Sequence, residues 1–280
     1  MNAKPTLLLA VIGLLIGIAT ANAQSARAAQ KIPPLTDPSH TQTIPAAPAT
    51  ADKEARFKSL NDKVDSLRQD PKRDLNEFAQ VAKQLINEFP DRVSGYETLR
   101  TVIQLEKPDK ARLLAKELTE SPAPEPFKLW GKGYLHRLDS FGKPVNLQFV
   151  ALDGRRIDTE ELRGKVVLLD FWATFCEPCV QATPHLKDLY AKYHPEGFEI
   201  IGVSFDEDKS ALNRFIKERA VPWPQYFEPI QGPDNKIAQE FGVSAIPQIM
   251  LLDKKGCLRK DGLFDPYRLE PYVFNLLAEP

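Results

Sequence analysis

The chain reads as an α/β protein, a mixed sheet flanked by helices with an N-terminal β-hairpin extension, preceded by a small all-helical region. Three observations predict this. Apolar residues recur at helical spacing across 51–121, strands alternate with helices after about residue 140, and the run VVLLDF at 166–171 is almost continuously apolar. Such a run suits a strand covered on both faces of a sheet.

In the helical region the apolar positions are Phe57, Leu60, Val64 and Leu67, then Leu75, Phe78, Val81, Leu85 and Phe89. Tyr96, Leu99, Val102 and Ile103 follow, then Leu113, Leu114 and Leu118. Breaks at Asp70-Pro71, Phe89-Pro90 and Lys107-Pro108 divide them into about four short amphipathic helices, because proline is expected at helix boundaries. The stretch LINEFPDRVSGYETL has a faint likeness to a tetratricopeptide helix pair, but the region is too short for three repeats. Pro122, Pro124 and Pro126 mark residues 122–140 as a linker. Residues 141–280 form the α/β region. Segments 147–152 and 155–158 flank Asp153-Gly154, a hairpin signal. After the strand at 166–171 come a helix over about 177–193, a strand at 198–205 and a helix over about 209–219. A short helix near 234–241, strands at about 248–252 and 257–260, and a closing helix at 266–277 complete the alternation.

Ahead of these regions, residues 1–23 place Lys4 before an apolar run and end in Ala21-Asn22-Ala23, the order of a cleavable secretory signal. The apolar run is shorter than the ~20 residues of a spanning helix, so membrane attachment is expected only if the segment is retained. Residues 24–50 are rich in Pro and Ala, with too little apolar surface to offset ordering entropy, and are expected to be an extended tether. Export places the protein in the periplasm or otherwise outside the cytoplasm, where disulfides persist.

In 280 residues, 37 Lys and Arg stand against 38 Asp and Glu, so the net charge of -1 gives no electrostatic basis for nucleic-acid binding. Only three cysteines occur, too few for a stapled framework, yet two of them lie three residues apart in FWATFCEPC. That motif stands where a buried strand passes into a helix. Cys176 falls at the helix N-terminus, where free backbone N–H groups and the positive dipole end favour a thiolate. Such a thiolate can attack a partner disulfide, and Cys179, one turn in, can resolve the mixed disulfide. Pro178 costs nothing in the first helical turn. Half a zinc site is the competing reading, but the remaining Cys257 and the scattered His40, His136, His185 and His194 offer no second ligand pair, so no metal is expected. A purely structural disulfide is a further reading, although so small a loop gains little entropy. Cys257 is expected to be a small buried hydrophobe.

These residues carry a family resemblance. The stretch from about 142 to 280 resembles the TlpA/ResA-type thiol-disulfide oxidoreductases of thioredoxin-like fold, through LRGKVVLLDFW, FWATFCEPC and GVSAIPQIMLLDKKG. The resemblance implies that Pro247 is the family's cis-proline beside the Cys176–Cys179 disulfide, with the Ile246 backbone offered to a substrate strand. It puts Asp170, six residues before Cys176, in the place of the buried acid of thioredoxins. Burial raises a carboxyl's pKa, so Asp170 could exchange a proton with Cys179; a simple local hydrogen bond is the plainer alternative. Trp172 is expected as an aromatic wall beside the motif, although a core residue would read the same. Glu177, a carboxylate next to a developing thiolate, should make the pair more reducing. No cofactor is implied; the partners are disulfide-containing client proteins and a membrane electron donor of the DsbD type.

Three positions depart from the family pattern: Phe175 for a second Trp, Ala182 for a Glu common in ResA-like proteins, and Gln248 for Thr. They weaken the case for a dedicated role in cytochrome c maturation and leave thiol exchange in place. Two other functions compete. The helical region could be a protein-binding adaptor to which the thioredoxin-like part is appended. A peroxiredoxin-like peroxidase would need Thr-x-x-Cys, whereas Thr174 is two residues before Cys176.

Overall fold

The computed structural model describes residues 48–230, 234–263 and 265–280, with only the helical backbone given for 48–50. The expected signal at 1–23 and the tether up to residue 47 lie outside the described residues. Five helices open the described chain: α1 (Pro48–Gln69), α2 (Leu75–Glu88), α3 (Ser94–Leu105), α4 (Pro108–Glu120) and α5 (Glu125–Ser140). The last three residues expected as tether, 48–50, are thus the first turn of α1. The prolines sit where the missing N–H is free of cost; Pro108 begins α4, and the Asp74 carboxylate caps α2 by accepting from Asn76 N–H at 2.8 Å. The helices close over Phe78, Leu85, Tyr96, Ile103 and Leu118, all fully buried.

Helix α5 corrects the expected linker at 122–140. Pro124 occupies its N-cap and Pro126 its first turn, so the proline cluster starts a helix instead of preventing one. Phe127, Trp130 and Tyr134 recur at helical spacing and join the core of the helical region. Its other side lies on the α/β region.

There the hairpin β1 (Gln148–Val150) and β2 (Arg156–Asp158) comes first, antiparallel, with Phe149 opposite Ile157. Ala151 C=O accepts from Gly154 N–H at 2.8 Å, and Ala151 N–H donates to Arg155 C=O at 2.7 Å. Gly154, at φ +86°, takes the left-handed position of this three-residue loop. The main sheet follows: β3 (Val166–Trp172), β4 (Phe198–Ser204), β5 (Gln225–Tyr226), β6 (Gln248–Leu252) and β7 (Leu258–Leu263). In space they lie in the order β5-β4-β3-β6-β7; β3 pairs in parallel with β4, and β6 runs antiparallel to both β3 and β7. The strands alternate with α6 (Glu177–Tyr193), α7 (Lys209–Glu218), α8 (Lys236–Glu240) and, after a 3-10 turn at Pro266–Arg268, α9 (Glu270–Ala278).

Every residue of β3 is buried, as the apolar run demands. Val167, Leu169 and Phe171 face one core with Leu212, Ile237 and Phe241; Val166 and Leu168 face the other with Leu186 and Leu189 of α6 and Val273 of α9. The mixed sheet flanked by helices is therefore as the sequence predicts. The two-residue β5 was not foreseen. Among the described residues no helix is long and apolar enough to cross a membrane.

The joint between α5 and α8 is made of backbone. A β-carbon added at Gly133 would lie 2.0 Å from Gln239 O and 2.5 Å from Gly242 N. One added at Gly242 would lie 2.3 Å from Tyr134 N, and Gly242 also holds φ +58°. Neither position admits a side chain without displacing main chain. Beside this contact the buried Arg137 lies 3.1 Å from the Asp261 carboxylate, an ion pair in which the Nε–H is not aimed at the oxygen, with its guanidinium 4.6 Å from the centroid of the Tyr134 ring.

Candidate active site

At the C-terminal end of β3 the chain turns through Ala173–Cys176, closed by Cys176 N–H donating to Ala173 C=O at 3.2 Å, and enters α6. Cys176 is the N-cap of α6, and its Sγ accepts the N–H of Cys179 at 3.3 Å. The two cysteines form a disulfide, with Cα atoms 5.2 Å apart. The sulfur expected to become the thiolate thus already receives one of the N–H groups that a helix start leaves free. Cys176 is 1% and Cys179 5% exposed, whereas the neighbouring Phe175 is 71% exposed. Glu177 and Pro178 fill the first helical turn at the surface; Glu177 accepts from Gln181 Nε2 at 3.1 Å.

The Ile246–Pro247 peptide bond is cis, as the resemblance implies. It leads directly into β6, whose first residue Gln248 lies opposite Phe171 in β3. The pairing brings 246–247 alongside the end of β3 that delivers the cysteines. Ile246 is half-buried against the same core cluster that contains both cysteines. Gln248 is buried, and its amide nitrogen has no hydrogen-bond partner.

Asp170 lies in mid-sheet, between Gly202 of β4 and Ile249 of β6. Burial among apolar strands pushes its carboxyl up to about 7. Trp172, expected as a wall beside the motif or as a plain core residue, lies in the core cluster that contains both cysteines. It is buried with its ring 5.2 Å from that of Phe215, and its Nε1–H donates to Gln225 Oε1 at 2.9 Å. Its contacts are those of a core residue that ties β3 to β5, and it offers no open face to a substrate. Cys257 departs from expectation. It is half-buried, bound through its N–H to Asp253 Oδ1 at 2.9 Å, and stands away from the motif in the turn before β7.

One residue near the motif escaped the sequence reading. Asp206, just beyond β4, accepts hydrogen bonds from Thr174, two residues ahead of Cys176. The available signal was its place at the C-terminal end of a parallel strand, the edge where α/β sheets build their sites.

A family model described as thioredoxin-like matches residues 164–258. This segment is a thioredoxin-like domain. Two curated relatives named thiol-disulfide oxidoreductase ResA, from Bacillus anthracis and Bacillus subtilis (strain 168), are 35% and 33% identical to this chain over 111 and 104 residues, or 40% and 37% of its length. The alignments span 62% and 56% of those relatives, under two thirds of their length. The solved thioredoxin domain of a thiol-disulfide oxidoreductase from Bacteroides vulgatus aligns with 25% identity and a TM-score of 0.43, covering 48% of this chain and 94% of that one. The two ResA relatives agree with the resemblance read from the sequence, and the matched segment 164–258 contains both cysteines and the cis-proline.

Proposed function

We propose that the protein is a thiol-disulfide oxidoreductase that reduces disulfides of client proteins outside the cytoplasm. The observation that carries this reading is the Cys176–Cys179 disulfide at the start of α6, with Cys176 Sγ accepting a helix N-terminal N–H. In the dithiol form the Cys176 thiolate attacks a client disulfide, makes a mixed disulfide and expels one client thiolate. Cys179 then attacks Cys176 Sγ, restores the internal disulfide and expels the second client thiolate. Asp170 takes the proton that Cys179 must lose. A carboxyl with a pKa near 7 is suited to that exchange at neutral pH. The backbone of Ile246, ahead of Pro247, pairs with the client strand, and Phe175, Glu177 and Pro178 form the exposed rim around a buried pair. Each cycle consumes two electrons, which a membrane donor of the DsbD type returns by reducing the internal disulfide.

The test is the reduction potential of the pair, measured by equilibration in glutathione or dithiothreitol buffers with Cys176→Ser as control. A value near or below thioredoxin's roughly -270 mV agrees with a reductase in which Glu177 opposes the thiolate. A value near the roughly -120 mV of DsbA makes the protein an oxidant and overturns the direction proposed here.

A further inference from the structure

Asp206 has no part in the exchange steps above, yet it is among the most heavily bonded side chains beside the motif. It is 3% exposed. Both carboxylate oxygens accept from Thr174 N–H at 3.1 Å, and Oδ1 also accepts the Thr174 hydroxyl. Oδ2 accepts from Ser204 Oγ at 2.8 Å, and the Asp206 N–H donates back to Ser204 Oγ at 3.0 Å. The network continues to α8: the fully buried Asn235 donates from Nδ2 to Ser204 C=O at 3.3 Å, and its Oδ1 caps α8 by accepting from Ala238 N–H at 2.7 Å.

A buried carboxyl group is costly unless its lone pairs are satisfied, and here the donors converge from one turn and one strand end. Thr174 is gripped through both main chain and side chain, by a residue 32 positions away. That grip sets the start of the turn that Cys176 closes on Ala173. We propose that Asp206 is a positioning residue for Cys176: through Thr174 it holds the 173–176 turn so that the attacking sulfur stays on the free N–H groups of α6. This role rests on the oxidoreductase reading. If the clamp is lost, the turn relaxes, the sulfur leaves the Cys179 N–H, and the thiolate loses stabilisation.

The sign of the effect separates this role from a through-space one. Loss of positioning raises the Cys176 pKa and shifts the equilibrium with glutathione toward the disulfide. Removal of a nearby negative charge alone lowers that pKa. The test uses the full chain with Asp206→Ala, Asp206→Asn and Thr174→Val, the last keeping the carboxylate and the backbone bond while deleting the hydroxyl. Thiolate absorbance near 240 nm, compared with a Cys176→Ser control, gives the Cys176 pKa; glutathione equilibration gives the potential; circular dichroism checks the fold. For Asp206→Ala the equilibrium constant should move about tenfold toward the disulfide, about 30 mV, and for Thr174→Val about threefold in the same sense. Asp206→Asn, which keeps one acceptor oxygen, should fall between Asp206→Ala and the parent. An unmoved potential and pKa in folded variants, even with a lower unfolding midpoint, makes Asp206 merely structural and overturns the proposal, as does a fall in the Cys176 pKa. Should Asp206→Ala not fold, Thr174→Val and Asp206→Asn decide by the same criteria. A parent protein that does not exchange with glutathione overturns the oxidoreductase reading and this role together, whereas a parent that exchanges alongside unmoved variants overturns only this role.

Discussion

Asp170→Asn is the substitution whose consequence the structure specifies most fully. In the unfolded chain an Asp titrates near 3.8, and in the sheet burial raises it to about 7. Between these values the unfolded chain has released the proton and the folded one keeps it, so stability falls as pH rises, by about 1.4 kcal/mol per unit. The stability tied to the neutral carboxyl is complete below pH 3.8 and lost as pH climbs through about 7. Across that window the loss is about 4 kcal/mol. An Asn has nearly the same shape and no proton to lose, so the variant should lack this slope. The difference between parent and variant is therefore expected to grow in favour of the variant by about 4 kcal/mol from pH 4 to pH 8, whatever its value at either end. The assay is denaturant unfolding of both oxidised proteins at several pH values, followed by tryptophan fluorescence. A parent-minus-variant difference that stays constant within about 1 kcal/mol would refute the reasoning, because the carboxyl would then be ionised in the folded state as readily as in the unfolded one.

Other outcomes are expected from the same geometry. Cys179→Ser should accumulate a mixed disulfide between Cys176 and a disulfide-bonded test protein, visible on a non-reducing gel, while Cys176→Ser should form none. Gly133→Ala would drive a methyl group into the main chain at Gln239 and Gly242 and should cost on the order of 1–3 kcal/mol, read as a lower denaturant midpoint. A variant as stable as the parent would mean that α5 is not held against α8. Trp172→Phe leaves the buried Gln225 Oε1 without its donor and should lose about 1–3 kcal/mol of stability with no change in reduction potential; a shifted potential would return Trp172 to the redox site.

What could be read from the residues follows from how local the signals are. The β3 run, the α6 start and the cysteine pair are continuous in sequence, and their burial pattern or spacing states the structure directly. The raised pKa of Asp170 was likewise foreseeable, because a lone carboxyl within VVLLDFW has only apolar neighbours along the strand. Helix α5 was hidden by its own composition. Three prolines read as linker, but Pro124 and Pro126 fall at the helix start, and Gly131 and Gly133 are the points where α4 and α8 press close. Tertiary contact there outweighs low propensity. Strand β5 is two residues long and has no period to detect. Asp206 and Gln225 act on Thr174 and Trp172 across 32 and 53 residues, distances over which no local pattern carries information.

The glycine contact between α5 and α8 also bears on how the helical region could serve a client. A flexible linker would let the helices and the disulfide explore many separations, and the effective concentration of one at the other would be spread over that volume. Here main chain rests on main chain, four residues before Ile246, so the helical surface keeps a set bearing and reach toward the disulfide. A protein seated on α1–α4 would present to the pair only those of its disulfides that lie at that one offset. The joint would then act as a ruler, selecting clients by the distance between their docking surface and their disulfide.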